Sequence, residues 1–114
     1  MFKTNEYFDG NVKSIAFQSS EGASTIGTIA KGTYEFSTSS YEYMTVVSGS
    51  MEVQFPDENT WTAVEEGETF EIEPDAKFSV KAKADVAYLC LYSDTPLAEF
   101  ELDDDEEDEN EEQR

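Results

Sequence analysis

Thr69-Phe70-Glu71-Ile72-Glu73-Pro74-Asp75-Ala76-Lys77-Phe78-Ser79-Val80-Lys81-Ala82 reads as two strands and the turn between them. Phe70 and Ile72 alternate with polar neighbours before Pro74-Asp75, and Phe78 and Val80 do so after it. A period of two sends successive side chains to opposite faces, so each strand has one apolar face and one wet face. Proline followed by Asp supplies the chemistry of a tight turn at the join.

The same grammar extends in both directions. Alternating segments fall at residues 12–18, 25–30, 33–37, 44–47, 51–55, 60–64, 69–73, 77–82 and 86–92. They are separated by Lys31-Gly32, Ser48-Gly49-Ser50, Pro56-Asp57-Glu58-Asn59 and Glu66-Gly67, each of which breaks a strand pattern. No stretch shows an apolar stripe at helical spacing, so the chain is all-β. Many short strands at this spacing point to a sandwich, barrel or jelly roll. With 114 residues, one domain and one core are expected.

Val86-Ala87-Tyr88-Leu89-Cys90-Leu91-Tyr92 is apolar at nearly every position. Such a strand either lies in the interior or turns its second face to another subunit. Cys90 is the only cysteine, which suits a reducing compartment and a buried thiol that packs as a small hydrophobe.

Charge is spread unevenly. Nine of the 27 acidic residues lie between Asp103 and Glu112, leaving 18 against six Lys before them, a net of −12 for the body out of −20 in all. The expectation is a folded domain over residues 1–95 and a disordered acidic tail over 96–114, where like charges oppose collapse. So negative a surface repels nucleic-acid polymers and anionic membranes, which are excluded as partners. The opening residues are polar, with no apolar run of signal-peptide or membrane-span length, and a cytoplasmic location is expected.

The chain contains no histidine. That excludes a Ser-His-Asp triad and a His general base, and one Cys alone cannot assemble a zinc or iron site. No Gly-rich phosphate loop joins a strand to a helix. The chemistry left belongs to carboxylates, hydroxyls, amides and aromatic rings without a transition metal, while an all-carboxylate magnesium site stays open. Glu42 followed after six residues by Gly49 matches the second half of the first cupin motif, although the histidines of that motif are absent.

Longer strings carry a more specific likeness. Asn5-Glu6-Tyr7-Phe8-x-Gly10-x-Val12-Lys13-Ser14-Ile15-x-Phe17, Gly32-x-Tyr34-x-Phe36-Ser37-Thr38, Met44-Thr45-Val46-x-Ser48-Gly49 and Tyr88-Leu89-Cys90 occur in order from the start of the chain to Tyr92. This set resembles the pyrimidine/purine nucleoside phosphorylases, a family of short cupin-like proteins. The resemblance implies a cupin-type jelly-roll barrel, a homodimer, and phosphorolysis of purine and pyrimidine nucleosides to free base and ribose 1-phosphate. It implies inorganic phosphate as co-substrate and no metal.

For the reaction that the resemblance implies, Glu42 is the catalytic candidate, a carboxylate able to grip ribose hydroxyls or to stabilise positive charge on the sugar. Candidates for substrate contact are Tyr7, Tyr34, Phe36, Thr38, Tyr43, Thr45 and Tyr92, since aromatic rings stack on a base without reading its identity. Ser37 and Ser48 are the candidates for phosphate. Tyr34 and Phe36, like Phe70 and Phe78, suit a packed barrel interior equally well. The chain departs from the family in having Leu91 where members carry Arg after the Leu-Cys pair, and no Arg precedes Arg114. Arg is the natural fork for phosphate, so hydroxyls, backbone N–H groups or Lys must serve instead. The rival reading is a non-catalytic cupin that binds a nucleoside.

Overall fold

A computed structural model describes residues 1–97, and the expected acidic tail lies almost wholly outside the described residues. Ten strands form two antiparallel sheets with no helix among the described residues. In chain order they are β1 (Thr4–Tyr7), β2 (Val12–Ser19), β3 (Gly22–Ile29), β4 (Gly32–Ser37), β5 (Tyr41–Ser48), β6 (Met51–Gln54), β7 (Thr62–Val64), β8 (Thr69–Ile72), β9 (Lys77–Ala82) and β10 (Val86–Ser93). The larger sheet runs β1-β2-β3-β10-β5-β8 and the smaller β4-β9-β6-β7. Among the described residues no helix is long and apolar enough to cross a membrane.

All nine expected strands are present. The additional one, β1, has the sequence Thr-Asn-Glu-Tyr and exposes three of its four residues. An edge strand with one neighbour need not bury an alternating face, so its pattern is silent in the sequence. β5 also begins earlier than the apolar pattern suggests, at Tyr41, because Glu42 occupies an inward position that alternation would assign to an apolar residue.

The core lies between the sheets, which form a jelly roll open along its sides, and their ladders do not merge into one closed barrel. Val12, Ile29, Val46, Val53, Ile72, Val80, Val86 and Cys90 are its fully buried side chains. Phe36 and Phe78 stack with centroids 5.5 Å apart, and Phe70 meets Phe78 edge-on at 6.2 Å. Offset and edge-on pairs are the arrangements that the ring quadrupole favours.

β10 lies between β3 and β5, which settles its double apolarity. Tyr88 and Cys90 are buried on the core side, whereas Leu89 stands on the outer face of the sheet with 37% of its surface exposed. Its cross-strand partner Ile26 and that residue's partner Ile15 are exposed in the same row. The strand is interior, and its other face is also open.

Two Pro-Asp pairs shape the loops beside the core. Asp57 and Asp75 take φ of 64° and 59°, the left-handed geometry of the third residue in a type II turn. The Glu73–Ala76 loop is tied down by buried Thr38. Its hydroxyl donates to the Glu73 carbonyl at 2.7 Å and accepts from the Ala76 N–H at 3.0 Å.

Candidate active site

At the end of the sandwich where β4 and β10 finish and β5 begins, the sheets part around a cavity of about 280 Å³. The larger sheet contributes Asn5 and Tyr7 from β1, Ser14 from β2, Thr25 from β3, Glu42 and Met44 from β5, and Tyr88 and Tyr92 from β10. The smaller sheet contributes Glu35, Phe36 and Ser37 from β4 and Phe78 from β9. Cross-strand register explains the grouping. Glu42 pairs with Tyr92, while Met44, Cys90 and Thr25 form the next row on the same face.

Phe8 closes one side of this space. It follows β1 in a turn where Phe8 and Asp9 both have positive φ, 56° and 58°, and the Gly10 N–H bonds to the Tyr7 carbonyl at 3.2 Å. A bulky residue rarely adopts that backbone, and such strain needs outside support. The support comes from the other sheet: the Phe8 ring lies 5.0 Å from Tyr34 and 5.6 Å from Phe36. The hairpin thereby bridges the two sheets beside the cavity.

Several of the polar groups inside are paired with one another. Tyr92 and Thr25 share a hydroxyl hydrogen bond of 3.0 Å, and the Asn5 amide reaches Ser14 Oγ at 3.5 Å. The Cys90 thiol donates to Glu42 Oε1 over 3.8 Å. Burial raises the Glu42 carboxyl to about 7, with the thiol contact pulling it back only in part. Burial, reinforced by Cys90, pushes the Tyr88 phenol up to about 12. Cys90 and Tyr92 are also pushed up, first by burial and then by neighbouring charge, so at neutral pH both keep their protons. A carboxyl poised at neutrality among protonated hydroxyls is suited to proton transfer or to stabilising a developing positive charge.

Among the described residues no Lys or Arg lines this cavity. Lys13 pairs with Glu6 at 3.4 Å on the outer surface, and Lys81 lies 4.3 Å over the Trp61 ring and 3.9 Å from Glu52. Lys77 borders a separate open cleft of about 590 Å³ with Glu73, Asp75, Asp57 and Glu58. No group of three His, Cys, Asp or Glu converges at metal-binding distances among the described residues.

The fold brings Glu42, Tyr7, Phe36, Ser37 and Tyr92 together from the sequence candidates and separates the others. Tyr34 is a buried core residue whose hydroxyl donates to the carbonyls of Ala30 and Lys31 at 2.9 and 3.2 Å. Thr38 is consumed by the Glu73–Ala76 loop. Tyr43 and Thr45 lie one residue out of phase with Glu42, on the other face of β5. There Tyr43 donates to Glu71 Oε2 at 2.6 Å and accepts from the Leu97 N–H at 2.9 Å, and Thr45 bonds to Thr69 Oγ1 at 2.6 Å. Ser48 ends β5, six residues and roughly 20 Å from Glu42 along the strand. Asn5, Ser14, Thr25 and Tyr88 belong to the site without having been singled out from the sequence. Their signal is phase: Tyr88, Cys90 and Tyr92 share a face, and pairing β10 with β3 and β5 selects Thr25 and Glu42.

Solved structures share this architecture. A protein of unknown function from Vibrio parahaemolyticus aligns with a TM-score of 0.76 at 38% identity, covering 79% of this chain and 96% of that one. An RmlC-like cupin from Shewanella frigidimarina aligns with a TM-score of 0.62 at 14% identity over 87% of this chain and 88% of that one, a likeness of fold alone. In sequence, the pyrimidine/purine nucleoside phosphorylase of Alcanivorax borkumensis is 55% identical over 94 residues, 82% of this chain and all of that protein. The protein of that name from Psychromonas ingrahamii is 53% identical over 91 residues, 80% of this chain and 97% of its own length. The family model for pyrimidine/purine nucleoside phosphorylases matches residues 2–92, from before β1 almost to the end of β10 and including every strand that lines the cavity. With that span and those identities, the chain belongs to the pyrimidine/purine nucleoside phosphorylase family.

Proposed function

We propose that the protein is a metal-independent pentosyltransferase that cleaves purine and pyrimidine nucleosides with inorganic phosphate, giving free base and ribose 1-phosphate, in the cavity around Glu42. The observation that carries this reading is the Glu42 carboxyl, inward-facing and held near neutrality in a hydroxyl- and ring-lined cavity of a chain from this family. At about 280 Å³ the space falls just short of the usual range of small-molecule pockets, about 300 to 1,000 Å³, a size for a small molecule and not a polymer.

As the glycosidic bond breaks, the sugar acquires oxocarbenium character, and an ionised Glu42 stabilises that charge where little water competes. Phe36, Phe78 and Tyr7 offer ring faces to a base of either class, which fits broad specificity. The hydroxyls of Ser14, Thr25, Tyr88 and Tyr92 offer partners to ribose. Ser37 is the lining hydroxyl of the smaller sheet available to phosphate.

The protein works in this reading as a cytoplasmic homodimer without an organic cofactor. The dimer surface is the outer face of the larger sheet, where Ile15, Ile26 and Leu89 are exposed in one uncharged row. On a body of net charge near −12, such a patch is where two copies approach with least repulsion. The test of function is incubation of the purified chain with uridine or inosine and phosphate, following base and ribose 1-phosphate. Phosphate-dependent release that is lost in Glu42→Ala supports the reading. Binding of nucleoside with no turnover favours a non-catalytic binding protein.

A further inference from the structure

We infer that the same cavity accepts water in place of phosphate, so that the chain also hydrolyses nucleosides to free base and ribose. The inference rests on the nucleoside reading above and extends it to a second acceptor. Charge is the first argument. The lining includes two carboxyl groups, inward Glu42 and exposed Glu35, and none of the six lysines, on a body of net charge near −12. A phosphate dianion enters against that field with only neutral donors to meet it, whereas water enters without electrostatic cost.

Volume is the second argument. The cavity measures about 280 Å³, close to the minimum for a small-molecule pocket. Once a nucleoside occupies it, water needs less of the remaining space than a tetrahedral oxyanion does. Glu42 is the third argument. Its Oε1 accepts only the long contact from the Cys90 thiol among the described hydrogen bonds, so the carboxylate has lone pairs free to orient and deprotonate a water molecule.

In the proposed step the bond between C1′ and the base nitrogen breaks and takes its electron pair onto the base. The water oxygen bonds to C1′ and gives one proton to Glu42. The departing base gains one proton, supplied through a neighbouring hydroxyl or by Glu42 in return. The sum is nucleoside plus water to base plus ribose, with no oxidant or co-reactant.

The experiment uses the full chain, dialysed free of phosphate, with uridine, at phosphate concentrations from none added to large excess. Uracil, ribose and ribose 1-phosphate are separated and counted, and residual phosphate is measured. Ribose and uracil in equal amounts, exceeding total phosphate at least tenfold, is the expected result. Glu42→Gln should lower that rate on the order of 100-fold, which a contaminating hydrolase would not show. Ser37→Lys, which places a cation among the lining residues, should shift the products towards ribose 1-phosphate when phosphate is present. Uracil released only in proportion to phosphate, all of its sugar appearing as ribose 1-phosphate, overturns the inference and leaves the phosphorylase reading standing. No uracil under any condition overturns both.

Discussion

Tyr92 of β10 stands directly across the ladder from Glu42 of β5, and its hydroxyl is bonded to Thr25 of β3, so three adjacent strands converge on one carboxylate. Cys90, two residues back on the same face, places its thiol 3.8 Å from Glu42 Oε1. The carboxylate is thus surrounded by groups that keep their protons at neutral pH. This arrangement makes its ionisation the variable that activity and stability should both follow.

For activity, the ionised form is the one that stabilises positive charge on the sugar or takes a proton from water. The rate of base release should therefore rise with pH through about 7 and level off above it. Glu42→Gln should abolish this limb and lower the plateau on the order of 100-fold. A pH profile of kcat/KM with uridine checks both outcomes.

For stability, the sign is opposite. The folded protein binds the Glu42 proton more tightly than the unfolded chain, whose carboxyl has the ordinary value of 4.5. The stabilisation conferred by that proton is complete below 4.5 and is lost as pH rises through about 7. Relative to Glu42→Gln, the wild type should lose on the order of 1 to 2 kcal/mol over this window, after allowing for solvent screening. Thermal melts of both proteins at pH 4.5 and pH 8 would show a Tm gap that opens by several degrees.

Thr38 offers a test of placement. Its hydroxyl serves the Glu73 carbonyl and the Ala76 N–H, so Thr38→Val should strand both backbone groups and cost about 1 to 3 kcal/mol. Because the side chain does not line the cavity, KM for nucleoside should change little. Urea unfolding together with steady-state kinetics separates this from a substrate-binding role.

Gly27 lies between Ser14 and Tyr88 in a row that borders the cavity. A Cβ there would come within 2.3 Å of the Lys13 carbonyl oxygen and 2.8 Å of Ser14 Cβ. Both obstacles belong to the adjacent strand, which cannot move without breaking its own pairing. Gly27→Ala should therefore destabilise the fold by about 1 to 3 kcal/mol or more, read as a lower denaturation midpoint.

The outer face of the larger sheet predicts an assembly state. Light scattering of the wild type should give the mass of two chains, and Ile26→Glu or Leu89→Glu should give one, because each sets a charge in the exposed apolar row. Wild-type protein that is monomeric at high concentration would remove this surface as the interface.

Sequence alone determined the strand content, because alternation such as Phe70-Glu71-Ile72 and turns such as Pro74-Asp75 act within a few residues of chain. It also determined that imidazole chemistry is absent, and the strings from Asn5 to Cys90 carried the family. Phase along β5 already separates Glu42 from Tyr43 and Thr45, a distinction that resemblance by strings does not make. Only the tertiary structure decided that Glu42 meets Tyr92, Thr25 and Ser14, that Phe8 leans across to the smaller sheet, and that Thr38 and Tyr34 serve the scaffold. The reason is physical: the period of a strand is local, but its neighbours and register are set by the burial of both sheets at once, and a site built across strands exists only when that register does.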